Sequence, residues 1–385
     1  MNESNFKKVY ANEYGKLNDL QKKAVDTILG PVMVIAGPGT GKTQILSRRV
    51  ANILLNYNTE PKEIVCLTYT EAGASEMLDR LEKLLGERGR DVRVSTIHAF
   101  CSGLILANPE QFENRPKVIS TAVQYELLKE IMDEHLQEGD SLYKHSGDRY
   151  SSKDQLFELL SRLKKEKLDK EKIKYEVDEY LKMIELSAPG DELYAKFKYQ
   201  GKYRNKQAGD LKPAFEKEQK KYDNVLNGAG IIEKYRKKLS EYNYFDFDDM
   251  ILWTKDMIEK NPELQKEVSE SISYLFIDEF QDTSVIQNEL VDLLVKGKDN
   301  PNIFVVGDDD QSIYRFQGVS ESNIEDFDQK YKPTEIILEE NYRSSQIIID
   351  AAKAVITKNK NRRVKQLRAA GDNKYYEQKI PTLTE

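Results

Sequence analysis

AGPGTGKT, residues 36–43, sits between an apolar run and a helical one, and its reading decides the fold. Glycines at 37, 39 and 41 allow the tight turns that point successive backbone N–H groups at an anion. Lys42 supplies a charge for the β- and γ-phosphates of a nucleotide, and the Thr43 hydroxyl suits Mg²⁺. Before the loop, residues 32–35 (VMVI) read as a buried strand. After it, residues 44–55 carry helical apolar spacing through Ile45, Leu46, Val50, Ile53 and Leu54. Strand, loop and helix in this order set the positive end of the helix against the phosphates. Ala36, Gly37, Pro38, Gly39, Thr40, Gly41, Lys42, Thr43 and Gln44 are the expected nucleotide-binding residues, with ATP and Mg²⁺ the expected cofactors. Ala36 stands at the first loop position in place of a glycine and is small enough to fit.

Composition narrows the class. The chain has 385 residues, 39% hydrophobic and 32% charged, room for two or three domains with substantial cores. No stretch approaches the ~18 apolar residues of a membrane span, and the opening MNESNFKKVY lacks the apolar core of a signal peptide. Cys66 and Cys101, both among apolar neighbours, read as buried thiols, which favours a reducing cytoplasm. A net charge of −7 argues in sum against nucleic acid, since phosphate neutralisation needs Lys and Arg. Distribution argues the other way. Between 196 and 221 lie Lys196, Lys198, Lys202, Arg204, Lys206, Lys212, Lys217, Lys220 and Lys221, interleaved with Tyr199, Tyr203 and Phe215. A nucleic-acid contact and a solvated helix face or loop fit this run equally well.

Short apolar runs recur at 32–36, 64–68, 92–97, 275–277, 303–306 and 336–338, separated by helical patterns. That is the signature of a parallel sheet covered on both faces. From about 110 to 245 strand-like runs become scarce and charged helical patterns dominate. These patterns predict an α/β core around the phosphate loop, with a helical domain inserted between its strands.

Further runs carry chemistry. In YLFIDEFQDT, residues 274–283, an apolar strand ends in adjacent carboxylates. Asp278 suits Mg²⁺, directly or through water, and Glu279 suits the orientation and deprotonation of the attacking water. In IFVVGDDDQSIYRFQG, residues 303–318, Gln311 is a candidate for the γ-phosphate or the catalytic water, and Tyr314 and Phe316 offer π-faces to bases. On spacing alone those aromatics fit a core as well. In LEENYRSS, residues 338–345, Arg343 suits charge developing on the γ-phosphate, and equally a salt bridge to Glu339 or Glu340. In LNDLQ, residues 17–21, Asn18 reads as a helix cap; Gln21 either closes a capping box or reads adenine. Neither His98 nor the other two histidines has metal-ligand spacing.

These runs and their order resemble the UvrD/Rep-like helicases of superfamily 1 over residues 17–102 and 244–363. The resemblance implies that Gln21 reads adenine, that Tyr342 stacks on the base and that Arg343 contacts the γ-phosphate. It implies DNA contacts in LTYTEAGASEM (67–77) through Tyr69, and in STIHAF (95–100) through Thr96 and His98, beside Tyr314 and Phe316. YFDFDDM (244–250) is similar to the family segment before the Mg²⁺ strand; Asp246, Asp248 and Asp249 fit helix-cap carboxylates as well. Ala72 replaces a frequent family Lys, and Gln317 a frequent Arg. The family's later motifs do not follow Arg363.

The resemblance thus implies an α/β, RecA-like P-loop NTPase parallel sheet with an inserted all-helical domain: residues 1–110 and 246–325 would form the ATPase lobe, 111–245 the insert, and 326–385 the start of a second lobe. The expectation is the N-terminal ATPase region of a DNA helicase, coupling ATP hydrolysis to translocation on single-stranded DNA and to unwinding at duplex junctions. With the later motifs missing, this chain is expected to bind Mg²⁺-ATP, hydrolyse it slowly and not unwind duplex. The alternative is a non-motor ATP- and DNA-binding module in repair or regulation. A phosphate-loop enzyme for small molecules is disfavoured, because it has no need of the FQDT and NYRS runs.

Overall fold

The computed structural model describes residues 3–112, 117–136, 142, 150–165, 168–242, 244–312, 323–359 and 362–370. Its strands are β1 (Val32–Ala36), β2 (Ile64–Thr68), β3 (Arg93–Thr96), β4 (Lys117–Val118), β5 (Tyr244–Phe245), β6 (Tyr274–Ile277), β7 (Ile303–Gly307), β8 (Thr334–Leu338), β9 (Glu340–Asn341) and β10 (Arg368–Ala369). The helices before the insert are α1 (Glu3–Gly15), α2 (Asp19–Asp26), α3 (Lys42–Asn56), α4 (Glu71–Leu85), α5 (Glu87–Arg90) and α6 (Ile97–Ala107). Then come α7 (Thr121–His135), α8 (Lys153–Lys165), α9 (Lys170–Leu186), α10 (Glu192–Phe197) and α11 (Pro213–Glu241). The last are α12 (Phe247–Lys260), α13 (Pro262–Glu270), α14 (Val285–Leu294), α15 (Asn323–Tyr331) and α16 (Gln346–Ile356). The chain forms two compact units: Met1–Pro109 with Met250–Glu385, and Glu110–Asp249.

The first unit is built on a six-stranded sheet in the order β3-β2-β6-β7-β1-β8. Every pairing is parallel: Val34 of β1 faces Val306 of β7 on one side and Ile336 of β8 on the other. β1, β2, β6 and β7 are buried throughout, so helices must cover both faces, and continuous apolar runs are what such strands require. Inner residues of α3, among them Ile45, Val50 and Ile53, join Val34, Phe276 and Phe304 in one core. Arg49 is buried there too, its guanidinium 4.3 Å from the Phe304 ring centre and donating to the Ala24 carbonyl at 2.7 Å. Burial pulls its pKa down to about 9. Because the strands run the same way, everything that follows β1, β6, β7 and β8 emerges at one edge of the sheet.

The structure corrects one boundary. β8 pairs along β1 from Val32↔Thr334 to Ala36↔Leu338, and Ile336 and Leu338 complete the core. Residues 334–338, expected at the start of a second lobe, thus close the six-stranded sheet instead.

The second unit has its own core, formed by Leu127, Leu128 and Ile131 of α7, Leu156, Leu160 and Leu163 of α8, and Ile231, Ile232 and Tyr235 of α11. Among the described residues it is helical apart from one parallel pair, Lys117↔Tyr244 and Val118↔Phe245, and two isolated antiparallel bridges, Lys198↔Leu211 and Tyr203↔Lys206, where an all-helical insert was expected. The acidic run after β5 has a structural role in this unit. Asp246 and Asp249 exchange backbone-to-carboxylate bonds at 3.1 and 3.0 Å, a reciprocal cap on α12. Both also hold the buried Lys164 ammonium, at 2.5 and 2.6 Å. Burial outweighs the lysine's attraction and raises the Asp249 pKa. The Asp248 side chain lies outside the described residues. No helix among the described residues is long and apolar enough to cross a membrane.

Candidate functional site

The phosphate loop joins β1 to α3 and is fastened through its carbonyls, by one bond within the loop and three from outside it. The Thr40 hydroxyl donates to the Gly37 carbonyl at 2.8 Å, Asn341 Nδ2 to Pro38 at 2.5 Å, the Tyr342 N–H to Gly39 at 2.8 Å and Gln21 Nε2 to Thr40 at 2.9 Å. Gly41 caps α3 with φ of 92°, and Gly39 has φ of 72°. Both values favour glycine, and a Cβ on Gly39 would also lie 2.6 Å from the Arg343 Cβ. The N–H groups of Lys42 and Thr43, first in α3, have no acceptor within the helix, which is the arrangement that binds anions.

Lys42 reaches across to β6. Its ammonium lies 2.6 Å from Glu279 Oε2, with the two side chains 12% and 36% exposed. Glu279 itself is in the left-handed region, φ 49° and ψ 45°, a conformation that strains a residue with a Cβ. Gln281 fastens this turn: Nε2 donates to Glu279 Oε2 at 2.9 Å and Asp282 Oδ2 at 3.2 Å, while Oε1 accepts the Asp308 N–H at 3.0 Å. Burial first, and then the neighbouring Glu279 charge, push the Asp278 and Asp282 carboxyls up to about 6. Lys42 opposes both shifts.

The turn after β7 is acidic and neutralised from within. Asp308 is fully buried and accepts Gln311 Nε2 at 2.6 Å. Asp308, Asp309 and Asp310 lie close enough together to hold a cation, and the Lys365 ammonium occupies that position. It sits 2.5 Å from Asp308 and 3.0 Å from Asp310, with a shorter contact to Asp309. Burial lowers the Lys365 pKa, but Asp308 and Asp309 outweigh it and the net shift is upward. Arg362 grips Asp310 with two bonds, at 2.8 and 2.6 Å. β10 then pairs with β9, and a Cβ on Gly37 would collide with Leu367 at 2.8 Å, so residues 362–369 strap the acidic turn to the phosphate loop.

After β8, Asn341 Oδ1 accepts the N–H groups of Arg343 and Ser344 at 2.8 and 2.7 Å, folding the NYR run over the loop. The Arg343 side chain is exposed and forms no ion pair among the described residues. Glu340 is taken by Tyr342, Asn18 and Arg368, at 2.8, 3.1 and 3.3 Å, so the salt-bridge alternative for Arg343 is not formed. Tyr342 is 48% exposed. Gln21 does close the capping box on α2, and its amide also braces the loop. The structure thus gathers Gln21 of α2, Lys42 and Thr43 at the start of α3, and Asp278, Glu279, Gln311, Tyr342 and Arg343 in the segments after β6, β7 and β9 at one sheet edge.

Residues 17–332 match the family model described as UvrD/REP helicase N-terminal domain. The chain belongs to the UvrD/REP helicase family. It is 31% identical over 359 residues to the ATP-dependent DNA helicase PcrA of Bacillus subtilis, covering 92% of this chain and 41% of that protein. The PcrA of Staphylococcus aureus is 30% identical over 374 residues, covering 94% of this chain and 43% of the relative. That of Leuconostoc citreum is 31% identical over 357 residues, 91% and 40%. The chain spans about two-fifths of the length of these curated relatives.

The expected DNA contacts of this UvrD/REP chain fare unevenly. Tyr69, 41% exposed, stands at the end of β2, and His98 is half-buried in the first turn of α6. Thr96 is buried instead. Its hydroxyl donates to Glu71 at 3.0 Å and accepts the Ala99 N–H at 3.2 Å, so it is a helix cap rather than an open contact. Tyr314, Phe316 and Gln317 lie outside the described residues. Sequence reasoning missed Gln281, Asn341 and Lys365. The signal for Lys365 was complementary charge, a basic RRVKQLR run for the DDD at 308–310.

Proposed function

We propose that this chain is the ATP-binding region of a DNA helicase, coupling ATP hydrolysis to movement along single-stranded DNA and to unwinding at duplex junctions. The observation that carries the reading is the Lys42–Glu279 contact of 2.6 Å across a glycine-rich loop and a carboxylate-bearing strand end. The helicase relatives support a motor over a non-motor module. The two buried, unbridged cysteines fit a reducing cytoplasm.

In this reading the N–H groups of residues 37–44 and the Lys42 ammonium hold the triphosphate. Thr43 and Asp278 offer hard oxygen donors, the ligand type that suits Mg²⁺. Bound there, the ion would neutralise charge on the β- and γ-oxygens. Lys42 exchanges Glu279 for phosphate when nucleotide enters, which leaves the Glu279 carboxylate free to orient a water and take its proton. Gln311 and Arg343 face the γ-phosphate, Arg343 meeting the charge that develops on it. Gln21 and Tyr342 border the adenine. Tyr69, His98, Tyr314 and Phe316 are the proposed DNA contacts, the aromatics by stacking at roughly 1–3 kcal/mol per base.

The test is ATP turnover with and without single-stranded DNA, for the native chain and for Glu279→Gln. The variant should keep nucleotide affinity and lose about 10²–10⁴-fold in turnover, the range for a missing general base. Unchanged turnover removes Glu279 from the chemistry.

A further inference from the structure

The basic residues between 196 and 221 divide into two groups in the structure. Some serve the fold. Lys198 is buried and donates to the carbonyls of Glu185 and Ser187 at the end of α9, at 2.5 and 3.2 Å. Lys212 donates to the Ala195 carbonyl of α10 at 2.7 Å. Others make no ion pair with any described residue: Lys202, Arg204 and Lys206 in the α10–α11 connection, and Lys217, Lys220 and Lys221 on the first turns of α11, all exposed.

The connection is a built hairpin. Antiparallel bridges join Lys198 to Leu211 and Tyr203 to Lys206. The Tyr203 and Lys206 N–H groups donate reciprocally at 3.0 Å, and Tyr199 N–H donates to the Asp210 carbonyl at 3.0 Å. The Tyr199 and Tyr203 rings stack at 5.8 Å with an 11° interplanar angle. Arg204, in the left-handed region at φ 52°, keeps its guanidinium 5.6 Å from the Tyr203 ring centre. Tyr203 remains 55% exposed.

Three cations within five residues repel one another, and an ordered backbone prevents them from dispersing. In a chain of net charge −7, no carboxylate of a described residue forms an ion pair with any of the three. A polyanion relieves that repulsion, and an ordered hairpin engages it without first being ordered. We infer that the hairpin of residues 198–211 grips DNA through its phosphates, with Lys202, Arg204 and Lys206 each meeting one phosphate and the Tyr203 ring lying against the strand. The grip is indifferent to sequence, since it is made to the backbone. This inference rests on the proposal that the protein acts on DNA.

The experiment measures anisotropy of labelled oligothymidine and of a labelled duplex with the 385-residue chain between 50 and 200 mM KCl. The native chain is compared with the Lys202→Gln, Arg204→Gln, Lys206→Gln triple variant. Three lost phosphate contacts lower the log–log salt slope by about 2.1 on single strands or 2.7 on duplex. Over that fourfold salt range the native chain then loses about 20- or 40-fold more affinity than the variant. Nucleotide binding and melting temperature should not move, because the three side chains touch neither the phosphate loop nor a core. Should the triple variant melt early, the three single variants decide, each lowering the slope by about 0.7–0.9. A slope equal to the native one on both DNAs overturns the hairpin's role alone. A native chain that binds neither DNA overturns the helicase reading and this inference with it.

Discussion

Two lysines on the same sheet edge each meet a carboxylate at nearly the same distance. Lys42 lies 2.6 Å from Glu279 and Lys365 lies 2.5 Å from Asp308. Their surroundings differ. The Lys42 and Glu279 side chains are 12% and 36% exposed, whereas those of Lys365 and Asp308 are 1% and 0% exposed. A pair that water reaches is worth little and is easily exchanged for another anion. A buried pair is different: either partner left alone would be a charge without solvent. Bond length therefore does not distinguish a working contact from a structural one, but access to solvent does.

The sharpest way to break this contrast is Lys365→Met. It leaves Asp308 buried and unpaired beside two further aspartates, and should cost about 3–5 kcal/mol in urea unfolding. A loss within about 0.5 kcal/mol, as for an ordinary surface substitution, would put the two lysines in one class.

Lys42→Ala should show the opposite pattern. Unfolding of the nucleotide-free chain should change by no more than about 1 kcal/mol, because the freed Glu279 can hydrate. Stabilisation by ATP and Mg²⁺, about 2.7 kcal/mol at a hundredfold excess over Kd, should vanish from the melting curve. A variant that keeps its ATP-dependent shift would remove Lys42 from the phosphate site.

A smaller effect is expected from pH. Asp278 and Asp282 are held near 6 in the folded chain, above the ~3.9 of a free aspartate, so the folded state binds more protons. Their contribution to stability is full below about pH 4 and is lost as pH rises through about 6. With partial solvent access, the nucleotide-free chain should lose about 1–2 kcal/mol per group over that window. Asp278→Asn and Asp282→Asn should flatten the profile, and a native profile that rises with pH in this interval would refute it.

Much of the site was readable from local pattern. The loop, the apolar strands and the carboxylates after β6 each depend on residues a few positions apart, where side-chain period and glycine content report directly on conformation. Other parts were not. The resemblance implied a DNA contact through Thr96, whereas Glu71 takes its hydroxyl from 25 residues away. Gln21 fitted a cap and an adenine contact alike, and its amide turned out to brace the loop while it caps the helix. The acidic turn after β7 signalled a partner only through the complementary charge of the RRVKQLR run, and that Lys365 is the buried partner was not legible, because it lies 57 residues farther along the chain.

What the sequence determined by itself was local architecture: a glycine-rich strand-to-helix loop, a strand ending in adjacent carboxylates and a parallel sheet, all written in short-range spacing. Only the tertiary structure decided which charges are exchangeable and which are locked, and that β8 closes the first sheet instead of opening a second lobe. The reason is that burial and long-range pairing depend on which strand ends meet in space, and no local pattern records that.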